Sequence, residues 1–424
     1  MKSINRRKFI VAATSLSAIS ILKPGTVFGS KTNSAVRIGI IGCGGRGSEV
    51  LSNMIKETRA NVIAMADLFE YQLNKAKPKF DKLNTDKDVP MIDKSKVYLG
   101  SRAWERMLND KDVDAVLISS PAYTHPDFLK AAISSGKHAY CEKPAAPDVA
   151  GCRMVLQAGE MASGKLSLAI GFQIRHATPF VKMAERIKKG DIGEIINVQL
   201  YYFGSHLPFV PPVGKSDEEY MIRNHFHFTE LSGGILLDQG VHMIDVCNWV
   251  LNKQPVSAIG RGSRKGEPDF GDTYTNYQVI YDYPEDVSVS IHSTQLGPKF
   301  GDVCARFIGT KGIAEAHYGR GVYITGENEW DSGILHGQEP TAEQRAAGVF
   351  TSALHDSTQN KVKSFIGSIE TGNYINEARS GAASTMTAIL GRMSAVSRKE
   401  TTWDEMVDSN QKYDLKMNLS QFDK

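Results

Sequence analysis

The chain has few cysteines, and they lie far apart. Its 424 residues include five, namely Cys43, Cys141, Cys152, Cys247 and Cys304. None belongs to a C-x-x-C pair, and an odd number cannot be fully bridged within one chain. This pattern argues against a disulfide framework and predicts small, buried thiols.

Aromatic residues and excess charge are also sparse. Aromatic residues make up 8% of the chain, charged residues 23%, and the formal net charge is +3. Basic and acidic residues are interleaved, and we find no basic stripe that carries aromatic side chains. Because such a stripe is the usual footprint of nucleic-acid binding, we expect no nucleic-acid partner.

Long apolar runs are missing as well. The run from Phe9 to Leu22 is too short to cross a bilayer comfortably and is typical of a signal-peptide core. Arg6 and Arg7 before it resemble the twin-arginine signal, which exports folded proteins. We predict a signal over residues 1–30, a periplasmic location and no stable membrane insertion. An uncleaved anchor or a chance basic start is the alternative.

What remains is long enough for two domains. A glycine-rich motif, G-x-G-x-x-G, directly follows the stretch Val36–Ile41, which is rich in β-branched residues. In this motif the first glycine permits a tight turn, the second lets a pyrophosphate approach, and the third lets the next helix pack closely. Its candidate cofactor-binding residues are Gly42, Cys43, Gly44, Gly45, Arg46 and Gly47. A glycine-rich turn that binds nothing is the alternative.

A second strand ends in a carboxylate, Asp67. A carboxylate at this point can accept both ribose hydroxyls of NAD and would repel the 2′-phosphate of NADP. The next residues, Leu68 and Phe69, offer no positive charge. The predicted cofactor is therefore NAD.

Strands and helices then alternate up to about residue 150, which predicts a doubly wound parallel sheet over residues 35–150. Ligands bind at the carboxyl ends of such strands. The stretches "SSPAYTHP" and "CEKPAA" lie there. Candidate cofactor residues at or near these ends are Ser120, Pro121, His125, Glu142, Lys143 and Gln173. His125 is nearly as well explained by helix capping or packing, and Lys143 by a surface charge.

The second half, residues 151–424, has alternating strand-like runs such as "VSVSIHST" and few helices before the last two. It predicts an α+β domain with a large, mostly antiparallel sheet and one available face. Because an exposed sheet face is a liability in a monomer, we expect a homodimer or homotetramer. The last two helices are candidates to pack back on the first domain.

A stretch without clear periodicity, around residues 208–228, predicts a long functional loop. It carries Arg223, His225 and His227, and His206 lies just before it. We expect Arg175, Arg223, His225 and His227 to contact substrate. The H-x-H spacing allows a metal site completed by Asp238 and His242 as an alternative, but the prediction is no metal.

Asp238 and His242 lie four residues apart in a stretch that is otherwise apolar. On a helix they share one face, where a carboxylate can orient an imidazole and raise its basicity. The alternative is an Asp–His pair that only ties the helix to a loop. Asp245 either supports His242 or anchors the helix.

The segments "GIIGCGGRG", "SSPAYTH", "CEKP", "GFQIRH" and "GGILLDQGVHMID" resemble, in this order, the Gfo/Idh/MocA family of sugar and inositol oxidoreductases. The resemblance implies catalytic and substrate-binding roles for Lys143, Asp238 and His242. His242 would take a hydroxyl proton, Lys143 would stabilise the oxyanion, and Asp238 would hold His242. It also implies a Rossmann domain followed by an open-sheet domain.

We therefore predict a NAD-dependent oxidoreductase that acts on a sugar and keeps its NAD tightly bound after export. Some likeness to a branch of NAD-dependent glycosidases gives the alternative: oxidation, elimination, water addition and re-reduction. Where that branch has Trp or Tyr this chain has His225 and His227. A non-catalytic sugar-binding protein is the third hypothesis.

Overall fold

The computed structural model describes residues 35–205, 207, 209–212, 214–265, 271–295, 301–334, 341 and 352–423. The export signal predicted over residues 1–30 and His206 lie outside the described residues. None of the helices within these ranges is long and apolar enough to cross a membrane.

The first half of the chain forms a six-stranded sheet in which every neighbouring pair is parallel. Its strands are β1 (Arg37–Ile41), β2 (Asn61–Asp67), β3 (Val97–Leu99), β4 (Ala115–Ile118), β5 (His138–Cys141) and β6 (Leu168–Ile170). The spatial order is β3-β2-β1-β4-β5-β6. This is the order of a dinucleotide-binding fold, in which the ligand crevice opens beside β1 and β4.

Helices cover both faces of this sheet. They are α1 (Gly45–Glu57), α2 (Glu70–Thr85), α3 (Ala103–Leu108), α4 (His125–Ser134) and α5 (Val149–Ala162). In β1, Ile38 to Ile41 are all buried, which explains why isoleucine dominates this strand. The sheet continues past the boundary predicted at residue 150, because β6 is its edge strand.

The second half builds a nine-stranded sheet. The strands are β7 (Ile195–Phe203), β8 (Ser257–Ser263), β9 (Asn276–Tyr283), β10 (Val287–Thr294), β11 (Asp302–Gly309), β12 (Gly312–His317), β13 (Val322–Gly326), β14 (Trp330–Asp331) and β15 (Thr401–Thr402). Their spatial order is β14-β13-β12-β11-β7-β10-β9-β8-β15. All neighbours are antiparallel except β7 and β10. The predicted fold class, a parallel sheet plus a large and mostly antiparallel one, is confirmed.

The nine-stranded sheet buries one face and leaves the other open. In β9, Tyr277, Val279 and Tyr281 are buried, whereas their neighbours Gln278 and Ile280 are exposed. The buried face packs against two helices, α9 (Val241–Leu251) and α11 (Ala378–Ser397). Ile259 and Ile280 oppose each other across β8 and β9 on the open face and are 47% and 49% exposed.

The remaining helices are α6 (Thr178–Lys188), α7 (Asp217–Arg223), α8 (Thr229–Ser232), α10 (Ser357–Thr371) and α12 (Trp403–Ser409). The loop predicted around residues 208–228 is wrong in part, because α7 lies inside it. The Ser216 hydroxyl caps α7 by accepting a hydrogen bond from the Glu219 N–H, and three acidic residues occupy the first turn. A capping serine and an acidic first turn are ordinary signals for the start of a helix, but the segment is too short to show a clear apolar periodicity.

Helix α10 returns to the first half and packs on α1. Val362, Phe365 and Ile366 share one buried core with Val50 and Leu51. The Phe365 ring also meets the Tyr140 ring edge to face at 5.8 Å. The C-terminal helices therefore brace the sheet that supports the cleft described next.

Candidate active site

A cleft of about 940 Å³ runs from the glycine-rich loop to the start of α9. Many of the residues singled out from the sequence line it, and they are Gly42, Gly44, Gly45, Arg46, Asp67, Ser120, Pro121, His125, Glu142, Lys143, Gln173, Arg223, His225, Asp238 and His242. Cys43, Gly47, Arg175 and His227 are not part of the lining.

The glycine-rich loop leaves no room for side chains at two of its positions. Gly42 has a φ of +90°, and a Cβ there would lie 2.6 Å from the Ser119 carbonyl. A Cβ on Gly47 would lie 2.4 Å from the Gly42 carbonyl oxygen. Gly44 and Gly45, by contrast, face open space. At Gly42, Gly44 and Gly45, this wall of the cleft is therefore formed by backbone alone.

Helix α1 begins at this wall without a side-chain cap, since Gly44 is its N-cap residue. The first-turn N–H groups of a helix need partners, and the positive end of its dipole favours an anion. The uncapped start beside Gly44 and Gly45, both of which line the cleft, fits the pyrophosphate of a dinucleotide.

Asp67 closes the same end of the cleft. Its Oδ2 accepts a hydrogen bond from the Cys43 N–H (2.7 Å) and its Oδ1 accepts one from the Phe69 N–H (2.9 Å). Burial raises the pKa of Asp67 to about 6, although these backbone donors oppose the rise. Cys43 thus supports Asp67 through its backbone, while its thiol is buried and the pKa of the thiol is raised by burial.

Arg46 joins the loop to the strand ends. Its Nε donates to Glu142 Oε1 at 3.0 Å, and another guanidinium nitrogen donates to Gln173 Oε1. Glu142 is 4% exposed, so its carboxylate depends on this pairing. Arg46, Glu142 and Gln173, which were predicted to contact the cofactor, hold one another in position in this structure.

His125 is fixed by main-chain carbonyls. Its Nδ1 lies 2.7 Å from the Pro144 oxygen and its Nε2 lies 2.8 Å from the Ser120 oxygen. Burial lowers the pKa of His125. His125 therefore ties the end of β4 to the end of β5. This supports the packing role that was the alternative to cofactor contact.

Lys143 and Asp238 form an ion pair inside the cleft. The Lys143 Nζ lies 3.0 Å from Asp238 Oδ1 and also donates to the Asp238 carbonyl oxygen. Both side chains are 15% exposed. The ammonium group therefore has a defined direction and remains open to a ligand.

The relation predicted between Asp238 and His242 is wrong. The chain does not form one α-helix from residue 232 onward: Gly233 and Gly234 both have a φ of +81°, and Leu236–Gly240 is a π-helical turn before α9. A π turn adds a residue, so positions i and i+4 no longer lie above each other. Asp238 therefore forms its ion pair with Lys143 and not with His242.

His242 lies buried at the start of α9 with a free ring nitrogen. Its Nδ1 has no hydrogen-bond partner in the described structure. The Tyr202 ring lies nearly parallel to the His242 ring at 6.3 Å, and the Phe172 ring meets it edge-on at 6.5 Å. Burial lowers the pKa of His242 well below its usual value, helped by the charges of Lys143 and Arg46. A neutral imidazole is ready to accept a proton.

Arg175 and Asp245 do not belong to the cleft, which corrects the predicted substrate contact of Arg175. Two guanidinium nitrogens of Arg175 donate to the Asp245 carboxylate, each at 2.8 Å, and the Ser384 hydroxyl donates at 2.7 Å. Asp245 is 1% exposed. The trio anchors α9 to α11, so Asp245 anchors the helix and does not serve His242.

The three residues from the predicted loop, Arg223, His225 and His227, lie in different environments. Arg223 lines the cleft, pairs with Glu219 at 3.0 Å and lies over the Tyr71 ring at 4.8 Å. His225 lines the cleft, and burial lowers its pKa. His227 is 3% exposed and lies outside the lining, so the substrate contact predicted for it is wrong.

Sequence reasoning missed two groups of lining residues. One is aromatic, with Phe69, Trp104, Tyr123 and Phe128. The other is the C-terminal tail: Leu419 lines the cleft, the Phe422 ring meets the Phe69 ring edge-on at 5.3 Å, and Asp423 accepts hydrogen bonds from Ser101. No local motif marks the tail, because its partners lie more than 320 residues away in the chain.

Family models match both halves of the chain. The "Oxidoreductase family, NAD-binding Rossmann fold" matches residues 36–170, and the "GFO/IDH/MocA C-terminal domain" matches residues 180–315. Together the two models of one family cover more than half of the chain. The NAD-binding fold confirms the predicted cofactor.

Curated relatives and solved structures agree. Inositol 2-dehydrogenase of Acidothermus cellulolyticus is 27% identical over 57% of this chain and 62% of its own length. Inositol 2-dehydrogenase of Rhizobium meliloti is 28% identical over 62% and 72%, respectively. The aldose-aldose oxidoreductase from Caulobacter crescentus, crystallised with glycerol, has a TM-score of 0.67 at 16% identity over 87% of this chain and 99% of that one, a likeness that shows the fold.

The matched span reaches about six tenths of the length of the first of these relatives. The Rossmann-fold family model spans both the glycine-rich loop and Lys143. The models, the sheet order and the uncapped helix beside Asp67 agree. The chain belongs to the Gfo/Idh/MocA family of oxidoreductases and carries its NAD-binding Rossmann domain.

Proposed function

We propose that this protein is a NAD-dependent dehydrogenase that oxidises a secondary hydroxyl of a cyclic polyol or sugar. The observation that carries the proposal is the trio of Lys143, Asp238 and His242 at one end of a cleft whose other end fits a dinucleotide. The inositol dehydrogenases among the relatives support a hydroxyl-rich ring as substrate.

NAD would be held by the glycine wall, the start of α1 and Asp67, and when bound it supplies the hydride acceptor. The protein's own residues handle the proton and the charge. His242 lines the cleft and its imidazole is neutral, because burial lowers its pKa, so it can take the hydroxyl proton. The buried site strengthens each of these interactions.

Lys143 donates toward the substrate oxygen and stabilises its negative charge as the proton leaves. Asp238 acts as a positioning residue for Lys143, since its carboxylate and carbonyl both accept from the ammonium group. The predicted pairing of Asp238 with His242 is replaced by an ion pair between Asp238 and Lys143. Substrate contacts from Arg223 and His225 remain predictions.

The test is a screen of tag-free protein against inositols, aldoses and alkyl glycosides. We expect an inositol or an aldose to give a ketone and reduced cofactor, measured by absorbance and mass spectrometry. A Lys143→Met variant serves as the inactive reference. No turnover with any polyol or sugar, despite bound NAD, would contradict the proposal.

The glycosidase alternative predicts release of the aglycone without net reduction of NAD. The same panel distinguishes it, because a chromogenic aryl glycoside reports aglycone release directly. The curated relatives named above are inositol dehydrogenases, which favours net oxidation of the substrate.

We further propose export of the folded protein to the periplasm with NAD bound inside. A cofactor that leaves the cytoplasm must be re-oxidised in place, for example by reduction of a second compound in a ping-pong cycle. Co-purification of NAD with protein from the periplasmic fraction is expected. Replacement of Arg6 and Arg7 by lysine should leave the protein in the cytoplasm.

Self-association through the open face of the nine-stranded sheet is proposed as well. Ile259 and Ile280 form an exposed apolar pair on this face, near the β15 edge of the sheet. An Ile280→Lys variant should shift the mass measured by light scattering from dimer or tetramer toward monomer. Tyr374→Lys, on a different surface, is the control.

A further inference from the structure

A cluster of metal-ligand side chains lies on the nine-stranded sheet, away from the cleft. Cys304 in β11 is the cross-strand partner of His317 in β12, and Arg306 is the partner of Glu315. The intervening residues Ala305, Phe307, Ala314 and Ala316 point into the core. Because side chains alternate along a strand, the cluster occupies the opposite face.

The spacing of the ligand atoms matches one small ion. The Cys304 Sγ lies 3.5 Å from His317 Nε2, which lies 3.1 Å from Glu315 Oε2. All three ligand atoms lie within 4.8 Å of one another. Tetrahedral zinc with ordinary bond lengths places sulfur and nitrogen about 3.6 Å apart, and nitrogen and oxygen about 3.3 Å apart.

The histidine is also held as a metal ligand usually is. Asp302 Oδ1 lies 3.1 Å from His317 Nδ1, the nitrogen that does not face the cluster. Such a carboxylate fixes the imidazole tautomer and directs the other nitrogen to the metal. Arg306 holds Glu315 in the same way, with a guanidinium nitrogen 2.9 Å from Oε2.

The site is sheltered, although its sheet face is otherwise open. Cys304 is fully buried and His317 is 5% exposed. The Tyr323 ring stacks on the His317 ring at 6.3 Å, and Tyr201 lies opposite Cys304 in the register of β7 and β11. Low exposure limits competition from water for the ligands.

An ion-pair network is the competing explanation, because His317 also bridges Asp302 and Glu315. In that network the Cys304 thiol has only a weak sulfur hydrogen bond to His317, whereas a cysteine thiolate is a strong ligand for zinc. Within the described parts of the chain, no other group of three such side chains has ligand atoms this close.

We propose that Cys304, Glu315 and His317 bind a zinc ion that ties β11 to β12, with water at the fourth position. The ligand set, with one sulfur, one nitrogen and one oxygen atom, suits zinc better than magnesium or calcium, which prefer oxygen atoms alone. The role is structural and separate from the cleft.

The test uses tag-free full chain, freed of metal with a chelator and then dialysed against zinc sulfate. We expect about one zinc ion per chain by elemental analysis. Cobalt(II) in place of zinc should give a sulfur-to-cobalt charge-transfer band. Cys304→Ser should abolish this band. His292→Asn, on the same face beside Tyr201 but outside the cluster, should keep both signals.

A second variant decides the case if Cys304→Ser fails to fold. Asp302→Asn keeps all three ligands and should weaken zinc binding by about 10- to 100-fold. Zinc should raise the melting temperature of the wild type more than that of this variant, and NAD titration should be unaffected in both. Zinc bound equally by wild type, Cys304→Ser and Asp302→Asn, or no stoichiometric zinc at all, would overturn the site.

Discussion

The two ends of the cleft are built by different means. At the nucleotide end, the wall is backbone: Gly42 and Gly47 have no room for a Cβ, and α1 begins without a side-chain cap. At the reaction end, Lys143, Asp238 and His242 come from a strand end, a π turn and an α-helix. A backbone site depends on a local motif, whereas the reaction end depends on how separate segments meet.

The sharpest test of this division is Lys143→Met, which keeps the length and removes the charge. We expect kcat to fall by about 10²- to 10⁴-fold, because oxyanion stabilisation is lost, while NAD affinity changes little. Steady-state kinetics and cofactor titration measure the two effects. Lys130→Met, on the surface, is the control; equal loss of kcat and NAD affinity would erase the distinction between the ends.

Gly47→Ala should have the opposite signature. Its Cβ would meet the Gly42 carbonyl at 2.4 Å, so the loop must shift. NAD affinity should fall by about tenfold or more, equivalent to about 1.4 kcal/mol. Gly367→Ala in α10, where a Cβ meets nothing, is the matched control. Unchanged NAD affinity in Gly47→Ala would remove the backbone argument.

The nucleotide end should also respond to acid. The ionised form of Asp67 accepts ribose hydroxyls, and burial raises its pKa to about 6. As pH falls through about 6, the ionised fraction drops and NAD affinity should fall by up to about tenfold per pH unit. Asp67→Asn should bind weakly with a flat pH profile. A sloping profile in that variant would assign the effect to another group.

The smallest expected effect concerns the C-terminal tail. Asp423 accepts hydrogen bonds from the backbone and hydroxyl of Ser101, and Phe422 packs on Phe69 beside the nucleotide end. Because exposed polar contacts contribute little, Asp423→Ala should speed NAD dissociation by about threefold. Stopped-flow fluorescence measures the rate. Asp408→Ala in α12 is the control, and equal rates in both would leave the tail without a role here.

Particular residues show which parts of the fold and of the site could be predicted from the sequence. The strand–loop–helix around Gly42 to Gly47, and the cleft position of Asp67, Lys143 and His242, were predictable from motifs that act over short spans. Arg175 was misassigned because its partner, Asp245, is 70 residues away. The aromatic lining and the tail had no local signal at all.

The stretch from Ser232 to Val250 shows the limit most clearly. Its sequence determined that an aspartate and a histidine lie in an otherwise apolar stretch and that two glycines precede them. Only the tertiary structure decided their roles. The π turn separates Asp238 from His242, and the end of β5 brings Lys143 within 3.0 Å of Asp238. An ion pair between distant segments forms where packing places the charges, which sequence spacing alone cannot specify.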